Sequence, residues 1–305
     1  MGSDARLVVF GEALTDFIRE DAHRWRAVAG GSPWNVARTA ARLGLPTGHA
    51  GAVSRDLFGD ELLRLGREAG LDPRFTQQAN RSPLLAMVWS KDPPSYFFVG
   101  DDSADLHLDL DALPAGWLEA AEIVHFGSIS LARPPLAGRL VALAERVHAA
   151  GRRVSYDPNY RTLMQEGYRP TLERMARIAD LIKVSDEDLA GLFPGLPPAA
   201  ALQELRALAP RAAILLTHGP AGMRLLTPGR EVFQPAFPVR VVDTVGAGDA
   251  SMGGWIASLL LAPAAAPEAQ VAFAAATAAV VCERSGAYAP TLDEVQAMLA
   301  RVAPG

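Results

Sequence analysis

The segment VVDTVGAGDAS, from Val241 to Ser251, places two glycines between two aspartates, with a β-branched run before them and an apolar run after them. This pattern predicts a strand over residues 239–242, a turn over 246–248 and an apolar helix over 250–261. Glycine allows positive φ angles and lets a ligand approach the backbone closely. Backbone amides at such a turn, backed by the N-terminus of a helix, are suited to binding a phosphate.

Two interpretations of Asp249 stay open, because this residue follows the glycine turn directly. Its carboxylate can cap the helix by accepting hydrogen bonds from the amides of the first turn. It can also act as a general base that deprotonates an attacking hydroxyl, while the amides of Gly246, Ala247 and Gly248 hold the phosphate. Two other glycine motifs are excluded. The P-loop requires a lysine directly after its last glycine, and the dinucleotide fingerprint requires a third glycine.

Outside this segment, short β-branched or apolar runs alternate with longer segments of helical period. The helical spacing is clearest over residues 135–150, where leucine and valine recur every three to four positions. Strands are predicted at six runs, over residues 7–10, 49–53, 123–126, 154–156, 181–184 and 213–217. This alternation predicts an α/β fold with a mainly parallel sheet flanked by helices. In such sheets, ligands bind beyond the carboxyl ends of the strands.

Two segments interrupt the alternation, at about residues 14–29 and 84–100. Both are short extended pieces with turn residues, and the second contains the turn Asp92-Pro93-Pro94. We expect them to form hairpins outside the main sheet, as a small β lid over the ends of the strands. With 305 residues, half of them apolar, the chain has enough material for one large core, so a single α/β domain over residues 1–305 is expected.

The composition argues against several classes of partner. A net charge of −5 does not predict nucleic-acid binding. The single cysteine, Cys282, excludes internal disulfides and cysteine-based zinc sites, and it is typical of a reducing cytosol. The longest apolar run ends at Glu283, far short of the roughly 20 residues of a membrane span, and the N-terminus lacks the pattern of a secretory signal. We therefore expect a cytoplasmic protein that binds neither nucleic acid nor membrane.

A second glycine motif, GGSPWNVARTAARLG, runs from Gly30 to Gly44. It predicts a helix with Ser32 as the N-cap, proline in the first turn and Gly44 as the stop. Asn35 lies in the first turn of this helix and offers both hydrogen-bond donors and an acceptor next to the two glycines. On its own the motif predicts only a capped helix.

Together, the two motifs resemble the signatures of the ribokinase-like, or PfkB-type, carbohydrate kinases, GG-x-x-x-N-x-A-x-x-x-A-x-L-G and DT-x-GAGD. Further matches are Gly11-Glu12 with Asp16, residues 157–159 with Arg161, and residues 183–188, 217–222 and 286–287. The resemblance implies a Rossmann-like ribokinase fold with a small β lid. It also implies an enzyme that transfers a phosphoryl group from ATP to a primary hydroxyl of a sugar.

The resemblance also implies roles for individual residues. Asp249 corresponds to the base, and the amides of Gly246, Ala247 and Gly248 correspond to the hole for the transferring phosphoryl group. The positions that correspond to sugar-binding residues are Asp16, Gly30, Gly31, Asn35, Arg161 and, again, Asp249. Those that correspond to nucleotide-binding residues are Lys183, Ser185, Thr217, Gly219, Gly222 and Gly248. A lysine at the end of a strand can also be a plain surface charge, so Lys183 keeps two interpretations.

Metal ions follow from the same resemblance. Mg²⁺ is implied with ATP, and the family often has N-x-x-E where this chain has Ser-Asp-Glu-Asp at residues 185–188. Asp188 retains a carboxylate there and is either a metal-site residue or a solvated acidic residue at a helix start. Many family members also bind K⁺, and the corresponding positions are Asp243, Val245 and Gly286. Association into homodimers through the lid is common in the family.

Two further segments resemble those of fructokinases, S-A-D-x-x-L at residues 103–108 and D-x-N-x-R at residues 157–161. A fructokinase is therefore expected. Fructokinases commonly have an arginine just before S-A-D, where this chain has Gly100 or Asp101. That difference leaves 2-keto-3-deoxygluconate kinase, ribokinase and nucleoside kinases as alternatives. The alternative from another class is a sugar-binding regulatory protein without catalysis, which would not need a base beside an anion site.

Overall fold

The computed structural model describes residues 4–91, 94–164 and 167–301, and its strands form two separate sheets. The strands are β1 (Leu7–Phe10), β2 (Leu14–Arg19), β3 (Trp25–Gly30), β4 (Thr47–Ser54), β5 (Thr76–Ala79), β6 (Leu85–Lys91), β7 (Pro94–Val99), β8 (Ile123–Gly127), β9 (Arg153–Asp157), β10 (Leu181–Ser185), β11 (Ala213–Thr217), β12 (Met223–Thr227) and β13 (Arg230–Gln234). The helices are α1 (Ser32–Arg42), α2 (Leu57–Glu68), α3 (Trp117–Ala120), α4 (Leu136–Ala149), α5 (Arg169–Ile178), α6 (Asp186–Leu192), α7 (Pro198–Leu208), α8 (Ala247–Leu261), α9 (Pro267–Cys282) and α10 (Leu292–Ala300).

The main sheet has nine strands in the order β13-β12-β11-β10-β9-β8-β1-β4-β5. Its seven strands from β11 to β5 pair in parallel, whereas β12 and β13 add an antiparallel edge. All six predicted strands are present. They read as continuous apolar runs because helices cover both faces of a parallel sheet. The predicted α/β fold with a mainly parallel sheet is confirmed.

The predicted strand over residues 239–242 is wrong. This segment is an irregular loop, and Val241 and Val242 are 60% and 59% exposed. Pro235 and Pro238 precede it and have no backbone N–H to donate to a ladder. β-branched residues favour a strand only where a neighbouring strand and a packed face are available. Here the amide of Val242 donates instead to the carbonyl of Cys282 at the end of α9.

The helices on one face of the main sheet bring two distant parts of the chain together. Helices α1, α8, α9 and α10 pack there around the buried Trp34 and Trp255. A Cβ atom at Gly253 in α8 would lie 2.8 Å from the carbonyl oxygen of Val36 in α1. The glycine therefore allows the two helix backbones to approach closely. This contact fixes the N-terminus of α1 beside that of α8.

The second sheet has the strand order β3-β2-β6-β7 and is built from the two segments predicted to form the lid. β2 and β3 form one antiparallel hairpin, β6 and β7 form another, and β2 runs parallel to β6. Asp16 pairs with Ala86, and Val88 pairs with Tyr96. Because side chains alternate along a strand, Asp16 and Tyr96 lie on the same face of the lid. The predicted turn at Asp92-Pro93 lies outside the described residues.

Among the described residues, no helix combines the length and the apolar character that crossing a membrane would require.

Candidate active site

The glycine turn found in the sequence forms the N-terminus of α8. Gly246 has a φ of 80° and immediately precedes the helix. A Cβ atom on Gly246 would also lie 2.9 Å from the Cβ of Ala287. Both the backbone conformation and the lack of space therefore require glycine here. Ala247 and Gly248 are the first two residues of the helix, and Asp249 is the third.

Asp249 is held by the first turn of α1. Ser32 Oγ donates a hydrogen bond of 2.6 Å to Asp249 Oδ1, and Asn35 Nδ2 donates one of 2.9 Å to Oδ2. The interpretation of Asp249 as a cap is therefore wrong, since α8 begins without a side-chain cap. The prediction of Ser32 as an N-cap is also wrong. Gly31 occupies that position with a φ of 108°, and the serine hydroxyl binds the carboxylate across the cleft.

The environment of Asp249 suits a general base. Burial raises the pKa of its carboxyl above the ordinary value, while the hydrogen bonds from Ser32 and Asn35 and the charges of Lys183 and Arg161 counteract part of that effect. A carboxylate with a raised pKa accepts a proton more readily than an ordinary aspartate. The residue as a whole is still partly exposed to solvent, which leaves a path for a hydroxyl.

The amides at the turn are not equivalent. The amide of Ala247 donates to the carbonyl of Thr244 at 3.2 Å, so it is already used within the turn. In the part of the chain that the structure describes, no acceptor is seen for the amides of Gly246 and Gly248. These two are therefore the donors best able to bind an anion at the N-terminus of α8.

Lys183 lies directly beneath this turn. The interpretation as a surface charge is wrong, because only 4% of the residue is exposed. Its Nζ lies 3.2 Å from Asp157 Oδ2 and 3.8 Å from an oxygen of Asp188. A Cβ atom on Gly248 would lie 3.2 Å from the same Nζ. Burial alone would lower the pKa of Lys183, but the surrounding aspartates raise it to about 12, so the ammonium stays charged.

Asp188 is not a solvated residue at a helix start. It is 4% exposed and forms a capping box at α6, in which its amide donates to Ser185 Oγ and its carboxylate accepts from the Ser185 amide at 2.7 Å. The other carboxylate oxygen accepts from the amide of Tyr160 at 2.8 Å. The side chain therefore links α6 to the loop that carries Arg161. No group of three acidic, histidine or cysteine residues suited to a metal occurs among the described residues.

The sugar-binding residues implied by the resemblance lie together at the lid side of Asp249. Burial raises the pKa of Asp16 to about 7. The charge of Arg161 lowers this pKa, and the charge of Asp249 raises it. A Cβ atom on Gly30 would lie 2.4 Å from Asp16 Oδ2, so glycine leaves room for this carboxylate. Asn35 Oδ1 is buried and has no hydrogen-bond partner among the described residues. Such an unpaired buried acceptor indicates a missing donor, such as a ligand hydroxyl.

Tyr96 joins this group and was not found from the sequence. Its ring on the lid strand β7 lies 5.9 Å from the guanidinium carbon of Arg161, which itself donates to the carbonyls of Asn159 and Tyr160. Burial raises the pKa of its hydroxyl above the ordinary value. The charge of Arg161 lowers that pKa, and the charges of Asp188 and Asp16 raise it. The alternation of side chains along β7 could have identified Tyr96, once the register of β7 with β6, and of β6 with β2, was known.

Of the residues expected to bind the nucleotide, Ser185 and Thr217 lie at the carboxyl ends of β10 and β11, where they pair with each other. The turn after β11 contains Gly219 and Gly222, which have φ angles of 52° and 114°. A Cβ atom at Gly222 would lie 2.2 Å from the carbonyl oxygen of Gln234, so no other residue fits there. The lack of a side chain at Gly222 therefore lets the turn pack directly against the end of β13.

The three positions that correspond to the K⁺ site are also brought together. One carboxylate oxygen of Asp243 accepts from the amide of Val245 at 3.1 Å, and the other accepts from the amide of Gly286 at 3.0 Å. The carbonyl of Gly286 accepts from the amide of Tyr288. Asp243 thus ties the glycine turn to the loop after α9.

Comparison with known proteins identifies the family and supports the fold. The family model described as "pfkB family carbohydrate kinase" matches residues 4–294. A fructokinase of Klebsiella pneumoniae is 33% identical over 262 residues, which cover 84% of this chain and 85% of that protein. The structure of a fructokinase with bound ATP from Xylella fastidiosa has a TM-score of 0.88 at 29% identity, over 98% of this chain and 99% of that one. A fructokinase of Vibrio cholerae O395 with bound fructose, ADP and calcium has a TM-score of 0.86 at 26% identity, over 98% and 100%.

The fold and the site thus define a sugar-phosphorylating enzyme of the ribokinase-like class. The chain belongs to the pfkB family of carbohydrate kinases. The resemblance recognised in the two glycine motifs is confirmed.

Proposed function

We propose that the protein is a fructokinase, which transfers the γ-phosphoryl group of ATP to a primary hydroxyl of fructose. The observation that carries this proposal is the carboxylate of Asp249, which is held by Ser32 and Asn35 at the N-terminus of α8, above the ammonium of Lys183. The relatives named fructokinase support the choice of sugar, since they match most of this chain. A protein that only bound a sugar would not need this base.

The sugar is held between the lid and α1. Asp16 accepts hydrogen bonds from sugar hydroxyls, and Asn35 Oδ1 takes the hydroxyl donor that it lacks. Gly30 and Gly31 keep the floor of the site free of side chains, and Arg161 donates to the sugar or to the phosphate. A site built from polar partners rejects analogues that lack a hydroxyl, because its buried groups are then left unpaired.

Phosphoryl transfer is driven by position and charge. Asp249 removes the proton from the attacking hydroxyl, and the oxygen attacks the phosphoryl group in line with the departing ADP. The amides of Gly246 and Gly248, the N-terminus of α8 and the ammonium of Lys183 stabilise the negative charge that moves. Ala247 contributes mainly through the turn that it closes. Thr217, Gly219, Gly222 and Ser185 border the site where the nucleotide binds.

Metal ions complete the charge balance in this proposal. Mg²⁺ accompanies ATP and neutralises its phosphates when bound. Both carboxylate oxygens of Asp188 already accept backbone hydrogen bonds, so this residue fits a contact to Mg²⁺ through water better than a direct one. For K⁺, Asp243, Val245 and Gly286 form the loop that would hold the ion. Their role there is a proposal that rests on the family resemblance.

The remaining expectations concern the whole molecule. We propose that residues 1–305 act as one kinase domain in the cytoplasm, where ATP is available, and that the lid closes over the sugar to exclude water. The lid exposes large apolar side chains, namely Trp25, Trp89, Phe97 and Val99. These support a homodimer formed through the lid, because exposed apolar patches mark interaction surfaces.

The proposal is tested by measuring ADP release with Mg-ATP and a panel of sugars. The panel contains fructose, ribose, 2-keto-3-deoxygluconate and nucleosides, each with and without K⁺. We expect fructose to give the highest kcat/KM. A higher kcat/KM for another member would replace the substrate while keeping the chemistry. Binding of fructose in calorimetry without any ADP release would overturn the kinase and favour a regulatory protein.

A further inference from the structure

Both ends of the lid are attached to one short segment of the main domain. This segment is the 3₁₀ turn Ser128–Leu131 after β8, together with Arg133. Glu12 lies two residues before β2, where the chain enters the lid, and its carboxylate accepts a hydrogen bond from Ser130 Oγ. Glu12 is only 1% exposed and Ser130 is fully buried. The entry to the lid is therefore fixed by a contact that water does not reach.

The exit from the lid is fixed by Arg133. Gly100 directly follows β7, and its carbonyl accepts a hydrogen bond from the guanidinium of Arg133. The same guanidinium pairs with the carboxylate of Asp105 and lies 3.1 Å from Ser103 Oγ. The side chains of Arg133 and Asp105 are 12% and 2% exposed. Guanidinium carries several donors in a rigid fork, so one arginine can hold several acceptors in a fixed arrangement.

The S-A-D motif lies at the exit of the lid, next to Arg133. Ser103 Oγ lies 2.9 Å from the Gly100 carbonyl oxygen and 2.5 Å from a carboxylate oxygen of Asp105, and its one hydrogen can be donated to either. Both polar side chains of the motif are therefore turned towards the exit of the lid. The arginine that fructokinases commonly carry just before S-A-D is absent from the sequence here. Arg133, about thirty residues later in the chain, supplies a guanidinium to this motif.

We propose that Ser130 and Arg133 are positioning residues, which fix the two ends of the lid so that Asp16 and Tyr96 meet the sugar together. Asp16 lies on the hairpin that begins after Glu12, and Tyr96 lies on the hairpin that ends at Gly100. Neither Ser130 nor Arg133 touches the substrate in this proposal. The inference concerns the same sugar site and rests on the proposed function.

The kinetic test uses Arg133→Gln and Arg133→Lys, with Arg139→Gln as the matched control. Arg139 lies in α4 and also donates to a backbone carbonyl, that of Leu108, but not at the lid. We expect Arg133→Gln to raise the KM for fructose by about tenfold or more, because charged hydrogen bonds at the exit are lost. The KM for ATP and kcat should change by less than about threefold. Arg133→Lys should recover part of the loss, and Arg139→Gln should behave as wild type.

A second measurement separates a lid effect from a general loss of stability. Amide hydrogen exchange, recorded without any substrate, should speed up in residues 14–30 and 85–99 of Arg133→Gln and stay unchanged in β9 and β11. Ser130→Ala should show faster exchange mainly in residues 14–30, because it loosens the entry alone. Unchanged exchange in the lid, or equal losses in kcat and both KM values, would overturn the proposal. If wild type phosphorylates no sugar in the panel, the proposed function fails, and hydrogen exchange still decides this inference.

Discussion

Helices α6 and α8 both carry an aspartate as their third residue, at the same edge of the main sheet, yet the two carboxylates have different partners. Asp188 in α6 returns to its own N-cap, Ser185, in a capping box. Asp249 in α8 follows a glycine N-cap, which has no side chain to complete such a box. It binds Ser32 and Asn35 of α1 instead. The N-cap residue thus determines whether the carboxylate stabilises its own helix or stays available for chemistry.

This comparison explains why the glycine turn matters beyond its flexibility. A serine in place of Gly246 would meet Ala287 and would be strained at a φ of 80°. It would also offer Asp249 a local partner of the kind that Asp188 has. Glycine therefore does two things at once. It shapes the turn of the proposed anion site, and it leaves Asp249, the proposed base, without a competing partner in its own helix.

The largest expected effect is on turnover in Asp249→Asn. Asparagine keeps the size of the side chain but cannot accept the proton, so kcat should fall by about 10²–10⁴-fold while fructose and ATP still bind. Asp188→Asn is the matched control, and its kcat should fall by less than about tenfold. Steady-state kinetics and calorimetry measure both. Equal losses of kcat in the two variants would remove the distinction between the helices.

The next effect is on the free energy of unfolding. Here the substitution in α6 should have the larger effect and the one in α8 the smaller. Asp188→Ala removes two buried acceptors from the amides of Ser185 and Tyr160, so the free energy of unfolding should drop by about 1–3 kcal/mol. Asp249→Ala should destabilise less, because burial already disfavours its charged form. Urea unfolding monitored by circular dichroism gives both values. A larger loss in Asp249→Ala would contradict this comparison.

The smallest expected effect is a shift in the pH profile of Ser32→Ala. Asp249 must be ionised to act as a base, so kcat/KM falls as the pH drops through its pKa. The hydrogen bond from Ser32 lowers that pKa. Removing the hydroxyl should raise the pKa further and move the acid limb of the profile to higher pH. Thr291→Ala removes another capping hydroxyl, at the N-terminus of α10, which is bonded to Glu294 and not to Asp249, so it should leave the profile unchanged.

Most of the fold could be predicted from the sequence, because the spacing of apolar residues indicates which side of each strand or helix is buried. The six predicted strands of the main sheet are buried on both faces, and the two lid segments could be identified by their break in the rhythm. The strand over residues 239–242 failed for the reason that its β-branched residues have no neighbouring strand. A local pattern gives a propensity, and only tertiary structure supplies the partner.

The site could be predicted as a set of positions, although the contacts within it could not. Asp249 and Asn35 were each placed in the first turn of a helix, but nothing in either motif shows that the two helices meet. Lys183 resembled a surface residue because two of its three acidic neighbours, Asp157 and Asp249, come from distant parts of the chain. Tyr96 and Arg133 stand in no motif. The role proposed for Tyr96 rests on the register of the lid strands. The role proposed for Arg133 rests on its contacts with Gly100 and Asp105.

The hydrogen bonds to Asp249 have a consequence for the synthesis of the protein. Ser32 and Asp249 are 217 residues apart in the chain. At the usual rate of translation, roughly ten to forty seconds separate their emergence from the ribosome. During that interval α1 has no partner for its polar first turn. If Asp249 is the base, as proposed, a ribosome-bound fragment cannot consume ATP before residue 249 has emerged.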